Sequence, residues 1–165
     1  MPTAAQPKGT QEPKILEIRR TFAAPREKVF AAWAQREQLE RWMCRDVPSH
    51  VITHHLQDIR TGGRWRMEIR DPAKNEVYWG QGQYLEITPP EKIVFTWSWA
   101  KEVPGAANVD MHPEGSVSEV AVEFIARGRN ATELVLTHRG LGSASLRQDH
   151  QKGWTGCLNE LEKTL

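Results

Sequence analysis

The stretch "HQKGWTGCLNELEKTL", residues 150–165, decides the fold. Its apolar residues recur with the period of a helix, yet two glycines lie in its interior. Each interior glycine costs a helix about 1 kcal/mol relative to alanine. A helical wheel of residues 144–165 places one broad apolar face at Leu146, His150, Gly153, Trp154, Cys157, Leu158, Leu161 and Leu165. A glycine on that face either presses backbone onto a neighbouring element or leaves room for something else. The pattern predicts a long terminal helix gripped by a curved sheet, with part of the space between them unfilled.

The chain before this helix predicts an antiparallel sheet. A first strand at 14–22 precedes a helical segment at 23–43, which breaks into two short helices near residues 34–36. Period-two alternation then predicts strands at 51–59, 64–70, 77–87, 92–100, 117–126 and 132–138. Residues 101–116 form a loop long enough to be a lid or a disordered segment. The fold class is therefore α+β, with about seven strands, two short helices after strand 1 and a long C-terminal helix.

Composition excludes several classes of protein. A length of 165 residues suits a single domain, which we place at 14–165 after a disordered leader at 1–13. The 22 basic and 21 acidic residues nearly balance, which argues against nucleic-acid binding. Two cysteines without C-x-x-C spacing, and no apolar run of signal-peptide or membrane-spanning length, favour a reduced cytoplasmic location. Seven tryptophans require a large core or a large aromatic pocket.

The motifs together resemble a known family. They are "FAAPREKVFAAW", "LERWM", "DIRTGGRW", "GQGQYLEITPPEKIVFTWSW", "SEVAVEF", "TELVLTHRGL" and "HQKGWTGCLNEL". In this order they resemble the homologues of the activator of the heat-shock-protein ATPase, members of the START-like or SRPBCC superfamily. The resemblance implies a helix-grip fold, in which a sheet wraps around the C-terminal helix and encloses a deep cavity. The chain departs from the family pattern at His54 and His55 and in the length of loop 101–116.

Strand and helix phases predict the wall of that cavity. Gly80 and Gly82 share one face of their strand, which indicates a bend or a close backbone approach. Gln81 and Gln83 share the face of Trp79, where their amides could orient a polar group of a ligand. The predicted lining is Trp65, Met67, Ile69, Trp79, Gln81, Gln83, Phe95, Trp97, Trp99, Val122, Phe124, Leu136, His138, His150, Trp154, Cys157 and Leu158.

Few side chains in this sequence are candidates for catalysis or metal binding. His138 and His150 point inward and could act as general acid or base, but no serine, cysteine or carboxylate is expected beside them. We therefore interpret them as hydrogen-bonded core histidines, and Cys157 as an inert buried thiol. His54 and His55 point to opposite faces of a strand, so no metal site is predicted, and no cofactor motif is present.

The leading hypothesis is a binding domain with a tryptophan-rich cavity for a small apolar, aromatic or lipid-like molecule, acting as carrier, sensor or sequestering protein. One alternative is a cyclase- or hydrolase-like enzyme that uses the same cavity, with His138 or His150 moving a proton. Another is a co-regulator of a chaperone ATPase, as the resemblance implies. A homodimer through an edge strand is a further possible assembly.

Overall fold

A computed structural model describes residues 15–102, 109–110 and 117–165 of the chain. The predicted leader at 1–13 lies outside the described residues, as does most of the predicted loop at 101–116.

The described residues form seven main strands, one short strand and three helices. In chain order they are β1 (Ile15–Phe22), α1 (Arg26–Ala34), α2 (Arg36–Leu39), β2 (Val51–Gln57), β3 (Arg64–Asp71), β4 (Glu76–Thr88), β5 (Lys92–Glu102), β6 (Val109–Asp110), β7 (Ser118–Ala126), β8 (Thr132–Arg139) and α3 (Ala144–Thr164). The antiparallel sheet has the order β1-β8-β7-β5-β4-β3-β2, and β6 pairs with β5. This confirms the predicted fold class. The short strand β6 was not predicted, because two residues within a long loop carry no periodic signal.

Helix α3 lies against the inner face of the sheet. Ser143 caps its N-terminus by accepting a hydrogen bond from the Leu146 amide at 3.1 Å. Its buried residues are Trp154, Cys157, Leu158 and Leu161. The inner face of the sheet meets them with side chains at alternate positions, such as Val120, Val122 and Phe124 of β7. Strands β3 and β7 therefore place every second side chain in the core.

The two glycines of α3 have different surroundings. A Cβ built at Gly156 would lie 2.5 Å from Asp46 Oδ2 and 2.7 Å from Asp46 Cβ. Glycine at 156 therefore lets the Asp46 side chain reach the helix backbone. At Gly153 a Cβ would meet none of the described residues within 4 Å. The two alternatives were predicted for Gly153, the glycine on the apolar face, and it has open space around it. The close approach occurs instead at Gly156, which that face does not include.

Helices α1 and α2 close one end of the sheet. They are separated at Gln35, which adopts an extended conformation with φ −104° and ψ 123°. The Trp42 indole, fully buried after α2, donates to the Ala32 carbonyl at 3.0 Å and so ties the two helices together. The predicted break near residues 34–36 is confirmed.

Candidate functional site

A small cavity lies between the helix pair and the inner face of β2 to β5. Its volume is about 30 Å³, enough for one or two water molecules. An apolar cavity that holds benzene is several times larger, at about 150 Å³. Its wall is formed by Trp33, Leu39, Met43, His55, Trp65, Met67, Tyr84, Ile93, Phe95 and Trp97. The described interior is thus a packed aromatic cluster around a water-sized space.

Two glycines of β4 shape the aromatic side of this cavity. A Cβ at Gly80 would lie 3.2 Å from the Trp65 ring and 3.3 Å from the Trp97 ring. A Cβ at Gly82 would overlap the Thr96 carbonyl oxygen. Without side chains there, the Trp65 indole lies flat across β4 and donates to Thr96 O at 3.1 Å. This is the close approach expected at Gly80 and Gly82.

The inward placement of Trp79, Gln81 and Gln83 is wrong. In β4 the glycines face inward, so the residues between them face outward, and both glutamines are exposed. Trp79 lies on the outer face, where the Arg66 guanidinium sits 4.7 Å from the ring centre. Alternation defines two faces of a strand without saying which is inner. The bulk of the Trp65 and Trp97 rings decides it, because only glycine leaves room for them.

The cavity wall carries hydrogen-bond donors that no acceptor among the described residues uses. Trp33 and Trp97 are 3% and 4% exposed, and the indole N–H of each has no hydrogen-bond partner in the part of the chain that the structure describes. Tyr84 accepts a hydrogen bond from the Gln57 amide at 3.0 Å, which leaves its own hydroxyl proton available. Burial raises the pKa of Tyr84 to about 12, so the phenol stays protonated at neutral pH. A buried N–H without an acceptor is costly, so these groups suit a bound acceptor.

His55 is the one imidazole in the cavity wall. It pairs with Met67 across β2 and β3, and its Nδ1 lies 3.1 Å from Glu40 Oε1 after α2. Burial lowers the pKa of His55, and the Glu40 carboxylate opposes this only in part. The ring is therefore neutral at pH 7, with Nδ1–H donating to Glu40 and Nε2 left as an acceptor.

Protonation of His55 should make stability depend on pH. A histidine whose folded-state pKa lies below its ordinary 6.5 binds more protons when unfolded. The contribution of neutral His55 to the free energy of unfolding is complete above a pH of about 6.5. It is lost as the pH falls through the lowered folded-state pKa. We expect the melting temperature to drop between pH 7 and 5, and the drop to be smaller in His55→Asn, whose amide can still donate to Glu40. His54→Asn, an exposed neighbour on the same strand, is the control. Equal pH profiles for all three proteins would contradict this assignment.

His138 belongs to a buried hydrogen-bond chain away from the cavity wall. Trp154 Nε1 donates to His138 Nδ1 at 3.1 Å, His138 Nε2 lies 2.7 Å from Ser118 Oγ, and Ser118 Oγ donates to Trp97 O at 3.1 Å. The expectation that no serine lies beside this histidine is wrong, since β7 brings Ser118 to it from 20 residues away. Because the Trp154 N–H occupies Nδ1, the neutral ring carries its proton on Nε2, facing the serine. In that tautomer His138 cannot take a proton from Ser118.

His150 and Cys157 are the other polar groups of α3 that face inward. The His150 ring is half-buried, 5.1 Å from the His138 ring, and its Nδ1 donates to Leu146 O at 2.8 Å. Burial lowers the pKa of His150, and the hydrogen bond to Leu146 opposes the shift. A hydrogen bond with the Cys44 thiol, together with burial, raises the pKa of Cys157 well above its ordinary value. Neither group lines the cavity.

The predicted lining and the observed wall overlap in part. Four predicted residues contribute to the wall: Trp65, Met67, Phe95 and Trp97. Other predicted residues are buried elsewhere in the core, namely Ile69, Val122, Phe124, Leu136, His138, Trp154, Cys157 and Leu158. Trp99 is half-buried and packs on Trp97, with ring centres 4.9 Å apart.

Six wall residues lie outside the predicted lining: Trp33, Leu39, Met43, His55, Tyr84 and Ile93. Tyr84 would follow from alternation once Gly80 and Gly82 are placed inward. Trp33 and Leu39 lie on the apolar side of the helix pair, but their position over β3 and β5 depends on tertiary packing. Among the described residues, no group of three His, Cys, Asp or Glu side chains could hold a metal ion. No helix within the described ranges has the length and apolar content to cross a bilayer.

The protein is a helix-grip domain of the START-like class. A curved antiparallel sheet surrounds a long C-terminal helix, two short helices lie at one end, and an aromatic cavity lies between them. Residues 23–165 match the family described as Activator of Hsp90 ATPase homolog 1-like protein, and the chain belongs to that family. No curated protein matches the chain.

Solved structures of bacterial proteins share the fold. The AHSA1 protein of Silicibacter pomeroyi is 25% identical, with 90% of this chain and 95% of that one covered and a TM-score of 0.74. A protein of Chromobacterium violaceum is 22% identical, with coverage of 92% and 96% and a TM-score of 0.73. A protein of Mycobacterium smegmatis is 23% identical, with coverage of 92% and 90% and a TM-score of 0.69.

Proposed function

We propose that the protein binds a small neutral molecule, with an apolar body and one hydrogen-bond acceptor, in the cavity beneath α1 and α2. The observation that supports this most directly is the pair of buried indole N–H groups, on Trp33 and Trp97, which have no acceptor in the wall of the cavity. A carbonyl or ether oxygen would satisfy them, and the aromatic rings would enclose the rest of the molecule.

Electrostatics favours a neutral ligand. None of the ten wall residues carries a charge at neutral pH, because His55 and Tyr84 are both held neutral there. A carboxylate or an ammonium group would have to leave water without a partner of opposite charge, which is strongly unfavourable.

The volume requires that part of the wall move when a ligand enters. Met43, Met67 and Leu39 form the flexible part, since methionine adapts its shape at little cost. Leu39 and Met43 belong to α2 and the turn after it, a short element that can shift more readily than the sheet. The ligand-bound cavity is thus an expanded form of the one described.

Three compounds of similar size test the proposal: acetophenone, ethylbenzene and benzoate. We expect acetophenone to quench tryptophan fluorescence and raise the melting temperature, ethylbenzene to bind more weakly because it lacks an acceptor, and benzoate not to bind. Trp97→Phe, which removes one donor, should weaken acetophenone binding about fivefold while leaving ethylbenzene binding unchanged. Trp79→Phe, on the outer face of β4, is the matched control and should change neither. If the three compounds bind equally to wild type and Trp97→Phe, or none binds, the proposal fails.

The two other functions expected from the sequence remain predictions. An enzyme using His138 must first free that ring from Trp154 and Ser118, so the cavity in its described form does not favour this role. The family name refers to activation of an ATPase. A measurement of chaperone ATPase rate with and without this protein tests whether that property extends to this chain.

A further inference from the structure

Two thiols from distant parts of the chain meet beside α3, and neither of them lines the cavity. Cys44 lies in the turn between α2 and β2, and Cys157 lies in α3, 113 residues later. The Cys44 amide donates to Cys157 Sγ at 3.2 Å, which brings the two cysteines into direct contact. Cys44 is partly exposed, whereas Cys157 is buried.

The Asp46 carboxylate lies beside these two cysteines. Cys157 Sγ donates to Asp46 Oδ1 at 3.7 Å. Asp46 occupies this position only because residue 156 is glycine, since a Cβ there would lie 2.5 Å from Asp46 Oδ2. The glycine that weakens α3 therefore allows an acceptor for the Cys157 proton. Cys44 has a positive φ of 56°, an uncommon conformation for a side chain of this type, which directs its amide toward Cys157.

We propose that Cys44 and Cys157 form an oxidation site, in which a hydroperoxide converts the two thiols into a disulfide and Asp46 accepts the Cys157 proton. The partly exposed Cys44 sulfur attacks the outer peroxide oxygen, forming an S–O bond as the O–O bond breaks. Cys44 becomes a sulfenic acid, and the other peroxide oxygen takes the Cys44 thiol proton and leaves as an alcohol or water. Cys157 then attacks the Cys44 sulfur and the S–O bond breaks. The departing oxygen leaves as water with the proton that Asp46 received. Two thiols and one hydroperoxide thus yield one disulfide, one alcohol or water from the peroxide, and one further water.

The order of the two steps follows from exposure. Cys157 is shielded by α3 and its raised pKa keeps it a thiol, so it does not meet the oxidant directly. Once Cys44 is a sulfenic acid, the neighbouring sulfur is the nearest nucleophile. The resulting link joins the turn after α2 to the C-terminal helix, two elements that are otherwise far apart in sequence.

Oxidation of the full-length protein with hydrogen peroxide tests this proposal. After denaturation, blocking of free thiols and trypsin digestion without reductant, we expect residues 42–45 and 153–163 to be recovered as one disulfide-linked pair. The oxidised protein should melt about 5 °C or more above the reduced form, because the link closes a long loop. In Cys44→Ser, Cys157 should stay reduced under the same treatment.

Asp46→Asn should slow formation of the disulfide about tenfold or more, while Asp149→Asn, which changes an exposed carboxylate of α3, should not. Recovery of Cys44 as sulfinic acid with Cys157 still reduced would overturn the proposal that the two cysteines form a disulfide. An unchanged rate in Asp46→Asn would overturn the role of Asp46. Oxidation of Cys157 in Cys44→Ser would overturn the proposed order of steps.

Discussion

Gly82→Ala is expected to destabilise the protein by about 3 kcal/mol or more, a large part of the roughly 5–15 kcal/mol typical of a folded domain. The added methyl would overlap the Thr96 carbonyl oxygen and lie 2.7 Å from Trp65 Nε1. It would therefore separate the indole from its acceptor and push β4 away from β5. A buried indole N–H then loses its partner, which adds to the cost of the steric overlap. Urea denaturation followed by tryptophan fluorescence measures the free energy of unfolding.

Gly80→Ala is the matched control for this effect. It lies two residues earlier on the same face of β4, where a Cβ would only touch the rings of Trp65 and Trp97 at 3.2–3.3 Å. Rings can move by a few tenths of an ångström, so we expect a loss of about 1 kcal/mol. Similar losses for the two variants would show that the indole of Trp65 does not lie across β4 as described.

His138→Leu is expected to cost about 3 kcal/mol of unfolding free energy, although leucine has a similar volume. The substitution removes the acceptor of the Trp154 indole and the partner of the Ser118 hydroxyl, and both groups are buried. An unpaired polar group in the core loses its hydration without compensation. Urea denaturation again provides the measurement.

A double-mutant cycle with Trp154→Phe isolates the hydrogen bond between Trp154 and His138. Once the indole N–H is absent, His138→Leu no longer leaves it unpaired, so the second substitution should cost about 1–2 kcal/mol less than in wild type. His54→Leu, at an exposed position of β2, serves as the control and should change stability little. Strict additivity of the two core substitutions would contradict the chain of hydrogen bonds.

The surroundings of Gly82 and of His138 affect the cavity in different ways. The Gly82 site holds Trp65 flat, and Trp65 and Trp97, with ring centres 4.6 Å apart, form the aromatic side of the cavity. The His138 site holds Trp154 between the sheet and α3, where its ring packs 5.5 Å from that of Trp97. The first therefore shapes the cavity directly, and the second supports its wall from behind.

Much of the fold could be predicted from local patterns. Period-two alternation, the helix break near residues 34–36 and the helical wheel of residues 144–165 each depend on a few neighbouring residues. The candidate site was harder to predict. The inner face of β4 depends on Trp65 and Trp97 from two other strands, so alternation within β4 could not assign Trp79, Gln81 and Gln83 to the outside.

The sequence by itself determined the order of the elements, the antiparallel sheet and the long apolar face of α3, because these follow from periodicity along the chain. Only the tertiary structure decided that Ser118 lies beside His138, that His55 and Tyr84 face the cavity, and that Gly156 admits Asp46 next to Cys157. Each of these arrangements joins residues from separate elements. Their distances are set by how strands and helices pack in three dimensions, which spacing along the chain does not encode.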